Sequence, residues 1–421
     1  MEYKKIENNE YNIHVINSNR FKTMCVELVF TKKFNEKDIA YSNLLTGNMV
    51  YSTKKYNTKN KIAIAGEELY GARVSSSYSI SGKCQSLSFS LGFLNPKYTE
   101  EKYLKESIDF LYEVIFNPNV KNEEFDNDFF DIIKKENIVK VNSIKDNPNS
   151  FAGVEYSKIM YKGTPSSRGS IPTLEELDKI TPKNLYGFYK TLFEGSYRIN
   201  VIIAGEIEDE STILSLVENK LKNIKGSKEK LEFKIEHKYN DKLIEKIDSL
   251  PYNQSKLYMG YRLNNLTMHE MTHVLRVYNT ILGTMNDSLL FNIVREENSL
   301  CYSIGSYYSK YNPSLTIYAG INKTNYDKTV ELIKKCVELM KDKKTIERLM
   351  PFAKKTINTY LNNYYDDGRA QINYYFSSEF EYTEDIETIR EKIESVTVDE
   401  IIALNDKISL SVIYLLKGDN N

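Results

Sequence analysis

At 421 residues the chain exceeds what one ordinary core holds and suits two domains of about 200 residues each. Apolar residues make up 41% and charged residues 27%, which sets it apart from disordered and fibrous chains. The 57 basic residues are balanced by 58 acidic ones and form no helix-length Lys/Arg stripe, which argues against nucleic-acid binding driven by counter-ion release. No signal-peptide-like stretch opens the sequence and nowhere do about 18 apolar residues run together, so a cytoplasmic protein is expected. Cys25, Cys84, Cys301 and Cys336 are widely scattered without a CxxC, which fits reduced thiols filling the core.

In chain order, MCVELVF (24–30) alternates as a strand, 38–51 carries apolar residues at helical spacing, and a second helix follows near 60–70. The stretch 73–93 alternates around SGK, predicting two strands joined by a turn, and helical patterns fill 101–145. Thr173 with Glu176 forms a capping box, Thr181 before Pro182 opens another helix, and RINVIIAG (198–205) predicts a buried strand. After a Lys-rich passage at 220–245 the same order returns: strand 256–263, helix from 268, helix 287–297 and a strand pair in 301–321. SLSFSLGF (86–93) aligns with SLTIYAGI (314–321) at an offset of 228. Thr397 with Glu400 then precedes the strand LSVIYLLKG (410–418), as Thr181 precedes RINVIIAG. Two homologous halves are the simplest account, with two unrelated α+β domains as the alternative. The expected division is 1–220, a linker at 221–250, and 251–421.

Three segments carry a resemblance to a known family: YKGTPSSRGSIPTLEELDKITPKNLYGFYKTLF (161–193), INVIIAGEIE after it, and LLFNIVREENSLCYSIGSYYS (289–309). They resemble the M16 (insulinase, pitrilysin-like) metallopeptidases over roughly residues 20–418. The resemblance implies an α+β fold of two homologous domains, each a mainly antiparallel sheet with helices packed on one face. Active members carry an inverted zinc motif, HxxEH, on the first long helix, and a further Glu about 75–80 residues later. Imidazoles at i and i+4 share one helix face, the Glu between them is the general base, and the metal makes hydroxide available near neutral pH. Here Tyr41, Leu44 and Leu45 stand where His, Glu and His would be, and Lys140 stands at the distal position. This set cannot hold zinc, and His14 is the single histidine of the first half.

The same resemblance assigns a role to Arg295 and Tyr302, seven residues apart in the segment VRE…YS. In the family the matching Arg anchors substrate and the matching Tyr hydroxyl donates to the oxygen of the tetrahedral intermediate. Some bacterial M16 enzymes are heterodimers in which one subunit keeps HxxEH and its sister keeps only this pair. The resemblance therefore implies a catalytic contribution from Arg295 and Tyr302, an HxxEH-bearing partner that holds the zinc, a peptide substrate, and no cofactor bound by this chain. Such sisters are linked to small-peptide processing or to elongation factor P modification. A substrate peptide would add as a strand to an exposed sheet edge. The other functions weighed are an inert scaffold that binds peptides or a partner, and an independent zinc peptidase.

The last of these rests on His269-Glu270-Met271-Thr272-His273, which spells the zincin motif HExxH on a predicted helix, with Glu296 or Glu297 as a conceivable third ligand. Against it, the order is the reverse of the family's, and the offset of 228 sets His269 on Tyr41, at the start of the equivalent helix. The plainer expectation is two solvated histidines on a helix's first turn. His14 and His237, in charged surroundings, are expected on the surface. GxxxxGK[ST], GxGxxG and GxSxG are absent, so nucleotide hydrolysis and α/β-hydrolase chemistry find no support.

Overall fold

The structure, a computed structural model, describes residues 2–236, 242–381 and 383–419. It divides into two compact units. Unit 1 comprises Met1–Ser143, Ser170–Phe233 and Tyr364–Thr383, and unit 2 comprises Ile144–Gly169, Lys234–Asn363 and Glu384–Asn421. This differs from the contiguous division at 1–220 and 251–421 because each unit takes a segment from the other half of the chain. The first unit also reaches Phe233, and part of the expected linker is a strand.

The sheet of unit 1 is built from β1 (Glu2–Glu7), β2 (Asn12–Asn17), β3 (Thr23–Lys33), β4 (Arg73–Ser81), β5 (Cys84–Leu94) and β6 (Arg198–Gly205) in the order β1-β2-β6-β3-β5-β4. Only β2 and β6 pair in parallel. One face carries Val26, Leu28, Phe30, Phe89 and Val201 into a core with helix residues such as Leu44, Leu45, Leu111 and Ile115. RINVIIAG is apolar at consecutive positions because its sheet is buried on both faces. On the second face Ile16, Val29, Ile202 and Ala204 close around Ile372, from the exchanged helix Gly368–Ser377.

Just past that helix, the Glu379 side chain is fully buried and gathers basic side chains from three adjacent strands. Lys5 Nζ lies at 2.7 Å, His14 Nε2 at 3.2 Å and Arg198 Nη2 at 2.6 Å, while Asn12 Nδ2 donates at 3.0 Å. Hydrogen bonds from His14, Lys5 and Arg198 hold the Glu379 carboxyl well below the usual carboxylate range, although burial opposes them. His14 is therefore not a surface residue: its strand is interior, the exchanged segment covers it, and its relative exposure is 0%. His237 lies outside the described residues.

The sheet of unit 2 contains β7 (Ile244–Leu250), β8 (Ser255–Leu263), β9 (Cys301–Ser309), β10 (Ser314–Ile321) and β11 (Ile408–Gly418) in the order β9-β10-β8-β11-β7. Only β11 and β7 run parallel. Strand for strand this repeats β4-β5-β3-β6-β2, and β4 maps onto β9 at the offset of 228. Here too the second face receives an exchanged helix, Pro148–Met160, whose Ala152, Tyr156 and Met160 pack on Val412, Tyr414 and Leu416. The Tyr156 ring stacks on Tyr258 at 5.0 Å, and its hydroxyl lies 2.8 Å from Thr316 Oγ1. Gly260 makes that approach possible, since a Cβ there would stand 2.5 Å from the Tyr156 hydroxyl.

Candidate functional site

The helix Asp38–Met49 opens under Asp38, whose carboxylate meets Lys32 Nζ at 2.6 Å and accepts from Gln85 Nε2 at 2.7 Å. Leu44 and Leu45 are wholly buried core residues. Tyr41 stacks on Phe188 at 5.1 Å, and burial raises its phenol. Lys140 is exposed on the neighbouring helix Asn127–Asn142, which meets the first helix where Gly47 faces Ile133. Two aliphatic chains, a stacked phenol and a solvated ammonium do not fit a zinc ion.

Arg295 and Tyr302 lie on consecutive elements of unit 2. The helix Leu290–Glu297 is wound with i→i+5 hydrogen bonds, and its Arg295 guanidinium sits 4.7 Å from the centre of the Phe291 ring, with Glu296 Oε1 3.6 Å from Nε. The chain turns sharply at Ser299, a non-glycine residue with φ +52°. Asn298 Nδ2 donates to the Ile293 carbonyl at 2.7 Å, and Asn325 Nδ2 donates to that of Leu300 at 3.2 Å, which fixes the turn. β9 follows at once as an edge strand.

Its register with β10 shifts between Cys301, opposite Ile321, and Ser303, opposite Gly320, so Tyr302 is the extra residue of a β-bulge. A bulge re-aims the side chain it carries, and Tyr302 is 68% exposed. The offset of 228 sets Val74 at the corresponding place in unit 1, where β4 stays in register, Val74 faces Leu91, and the side chain is half-buried. The bulge thus turns a packing position into an exposed phenol. Equal strand lengths conceal it in the sequence, and the Phe291 platform beneath Arg295 also escaped the sequence reading. Cys301 ties the two residues together: burial pushes its thiol up to about 11, and the Arg295 guanidinium pulls the other way.

The motif His269–His273 holds its histidines apart from one another's acids. His269 Nε2 meets Glu400 Oε1 at 3.0 Å, whereas His273 Nε2 meets Glu384 Oε2 at 3.0 Å. Glu270 closes a capping box with Thr267 and pairs with Lys407 Nζ at 2.7 Å. Glu296 and Glu297 are exposed at the end of the next helix, and among the described residues no group of three His, Cys, Asp or Glu side chains stands ready for a metal ion. The expectation of two solvated histidines holds for neither residue fully. His269 keeps 41% of its side-chain exposure, while His273 is 2% exposed because the chain leading into the helix Ile386–Ser395 brings Glu384 over it.

Burial pushes His273 down to about 4, with His269, Lys392 and Arg276 adding to the effect and Glu384 opposing it. The ring is therefore neutral when folded and titrates near 6.5 when unfolded. Below pH 6.5 the unfolded chain binds the extra proton, so stability falls as pH drops towards 4. Between pH 7 and pH 5 a loss of about 2 kcal/mol is expected from this residue. Urea midpoints at the two pH values check it, and His273→Gln should remove that part of the difference.

The four cysteines are unpaired, and burial raises every thiol. Among the described residues no helix is long and apolar enough to cross a membrane.

Two repeated α+β units make up the chain, and its sequence contains no HxxEH. Residues 179–350 match the family model described as the Peptidase M16 inactive domain. The chain is 23% identical over 411 residues to the probable inactive metalloprotease YmfF of Bacillus subtilis (strain 168), covering 96% of this chain and 95% of that protein. A conserved protein from Enterococcus faecalis V583 has the same fold, with a TM-score of 0.90 at 22% identity over the whole of both chains. A peptidase M16 inactive domain from Pseudomonas fluorescens matches with a TM-score of 0.79 at 17% identity, covering 99% of this chain and 98% of the other.

Proposed function

We propose that this chain is the non-zinc subunit of a heterodimeric M16-type peptidase, placed in the cytoplasm, whose Arg295 and Tyr302 complete the site of an HxxEH-bearing partner. The observation that carries this reading is the exposed Tyr302 on its bulge, a free phenol on an edge strand one turn away from Arg295. At 68% Tyr302 is more exposed than the other exposed tyrosines among the described residues, of which Tyr360 at 57% and Tyr70 at 52% come next, whereas Tyr156 and Tyr278 in the same unit bury their rings. In the composite site the partner's zinc would supply a hydroxide nucleophile and polarise the peptide carbonyl. The Tyr302 hydroxyl then donates to the oxygen that becomes negative as the tetrahedral intermediate forms. Arg295, its guanidinium over the Phe291 ring, hydrogen-bonds a carbonyl or carboxylate of the substrate and fixes its register.

The test is peptide hydrolysis by this chain reconstituted with an HxxEH-bearing M16 subunit. Tyr302→Phe is expected to lower kcat about 100-fold, the usual cost of one oxyanion donor. Arg295→Ala is expected to act mainly through KM. A complex that assembles and turns over unchanged in both variants would instead support a scaffold that binds without contributing to chemistry.

A further inference from the structure

The two sheets differ by one strand. In unit 1 the outer edge of β2 is covered by β1, antiparallel in a register running from Glu2 opposite Asn17 to Glu7 opposite Asn12. In unit 2, β7 takes the place of β2, and among the described residues no strand covers its outer edge. That edge is regular, seven residues long and unbulged, and it carries exposed aliphatic side chains: Leu243 at 42%, Ile244 at 36% and Ile247 at 57%. Soluble proteins blunt such edges with lysine, proline, bulges or short strands. Lys246 gives little protection here, because its ammonium is drawn to Asp248 at 2.8 Å and Glu155 at 3.4 Å.

The sequence of β7, IEKIDSL, is complementary to itself when reversed about Ile247. An antiparallel pairing of two such strands sets Ile244 against Leu250, Glu245 against Ser249, Lys246 against Asp248, and Ile247 against its own symmetry mate. Each of the first three pairs occurs twice and the Ile247 pair once on the axis, so opposite charges meet, apolar groups meet, and the contact closes with two-fold symmetry. We propose that β7 is a homodimerisation edge, and that a second copy of this chain adds its own β7 antiparallel at the position β1 fills in unit 1. Because β7 and β9 are opposite edges of one sheet, this pairing leaves Tyr302 free and stands apart from the catalytic reading.

Sedimentation velocity of the full-length chain, from nanomolar to high micromolar concentration, should show a species of twice 49.0 kDa. Ile247→Cys should form a disulfide-linked dimer on mild oxidation, since directly opposite Cβ atoms in such a pair lie about 5 Å apart. Ile247→Lys opposes two ammonium groups at the dyad and should weaken association at least tenfold with an unchanged circular dichroism spectrum. A wild-type chain that stays monomeric at every concentration overturns the proposal. So does an Ile247→Cys chain that is folded yet does not cross-link, whatever becomes of the lysine variant.

Discussion

Glu379→Ala should lower the stability of unit 1 by about 3 kcal/mol, because it takes the buried anion away from Arg198 and leaves Lys5 only the exposed Glu7, 2.9 Å from its Nζ. Lys5, His14 and Arg198 come from β1, β2 and β6, and each lies within 3.2 Å of this one carboxylate. Removing it leaves desolvated charge facing the vacated space, a cost well above that of a surface ion pair. Glu379→Gln keeps the shape and part of the hydrogen bonding, so it should fall between wild type and Ala. The acid response has a definite sign. A carboxyl held below its unfolded value of about 4.3 contributes its full stabilisation above that pH and loses it as pH falls further. Hydrogen exchange should report the Ala variant as lost protection in β2 and β6, and Glu379→Ala should flatten the denaturation profile below pH 4. Unchanged protection in those strands would contradict the account.

Tyr156→Ala is the corresponding lesion in unit 2. The ring is fully buried, stacks on Tyr258 and reaches Thr316 through its hydroxyl, so truncation opens a cavity the size of a phenol beside Gly260. Truncating a large buried aromatic costs about 3–5 kcal/mol. Tyr156→Phe loses only the hydrogen bond and should cost about 1 kcal/mol, which separates packing from polarity. The expected readout is lost amide protection in β8 and β10. An Ala variant as stable as the Phe variant would mean that the helix Pro148–Met160 contributes little to its sheet.

Much of this architecture can be read from the residues. The repeat is legible because β4 and β9 share length and offset, and because Thr173, Thr181 and Thr397 form the capping boxes or helix starts their spacing suggests. RINVIIAG and LSVIYLLKG announce their double-sided burial by unbroken apolar runs. The exchange of helices is not legible, because which sheet a helix packs on is decided by contacts hundreds of residues apart. For the same reason His14 reads as a surface histidine: the glutamate that buries it stands at 379. β7 is hidden in a Lys-rich passage because its charges alternate with its aliphatic residues, and β1 and β2 were not anticipated at all. At the site, that Tyr41, Leu44, Leu45 and Lys140 offer no set of zinc ligands follows from residue type alone. The bulge that aims Tyr302 outward depends on hydrogen-bond register, to which residue type is blind.

The exchanged helices also bear on how the protein is made. A ribosome that has released Phe233 has produced every strand of the first sheet, yet the helix that covers its second face and the glutamate that neutralises Lys5 and Arg198 lie up to about 150 residues further on. At 5–20 residues per second that interval is roughly 8–30 s, during which Ile16, Val29, Ile202 and Ala204 wait uncovered. The segment Pro148–Met160 waits in its turn for the last strand, Ile408–Gly418. Unit 1 cannot finish before Thr383 nor unit 2 before Gly418 has left the ribosome, so a stop between residues 383 and 407 would leave the second sheet without its strand Ile408–Gly418 and the helix Pro148–Met160 without Val412, Tyr414 and Leu416 to dock on.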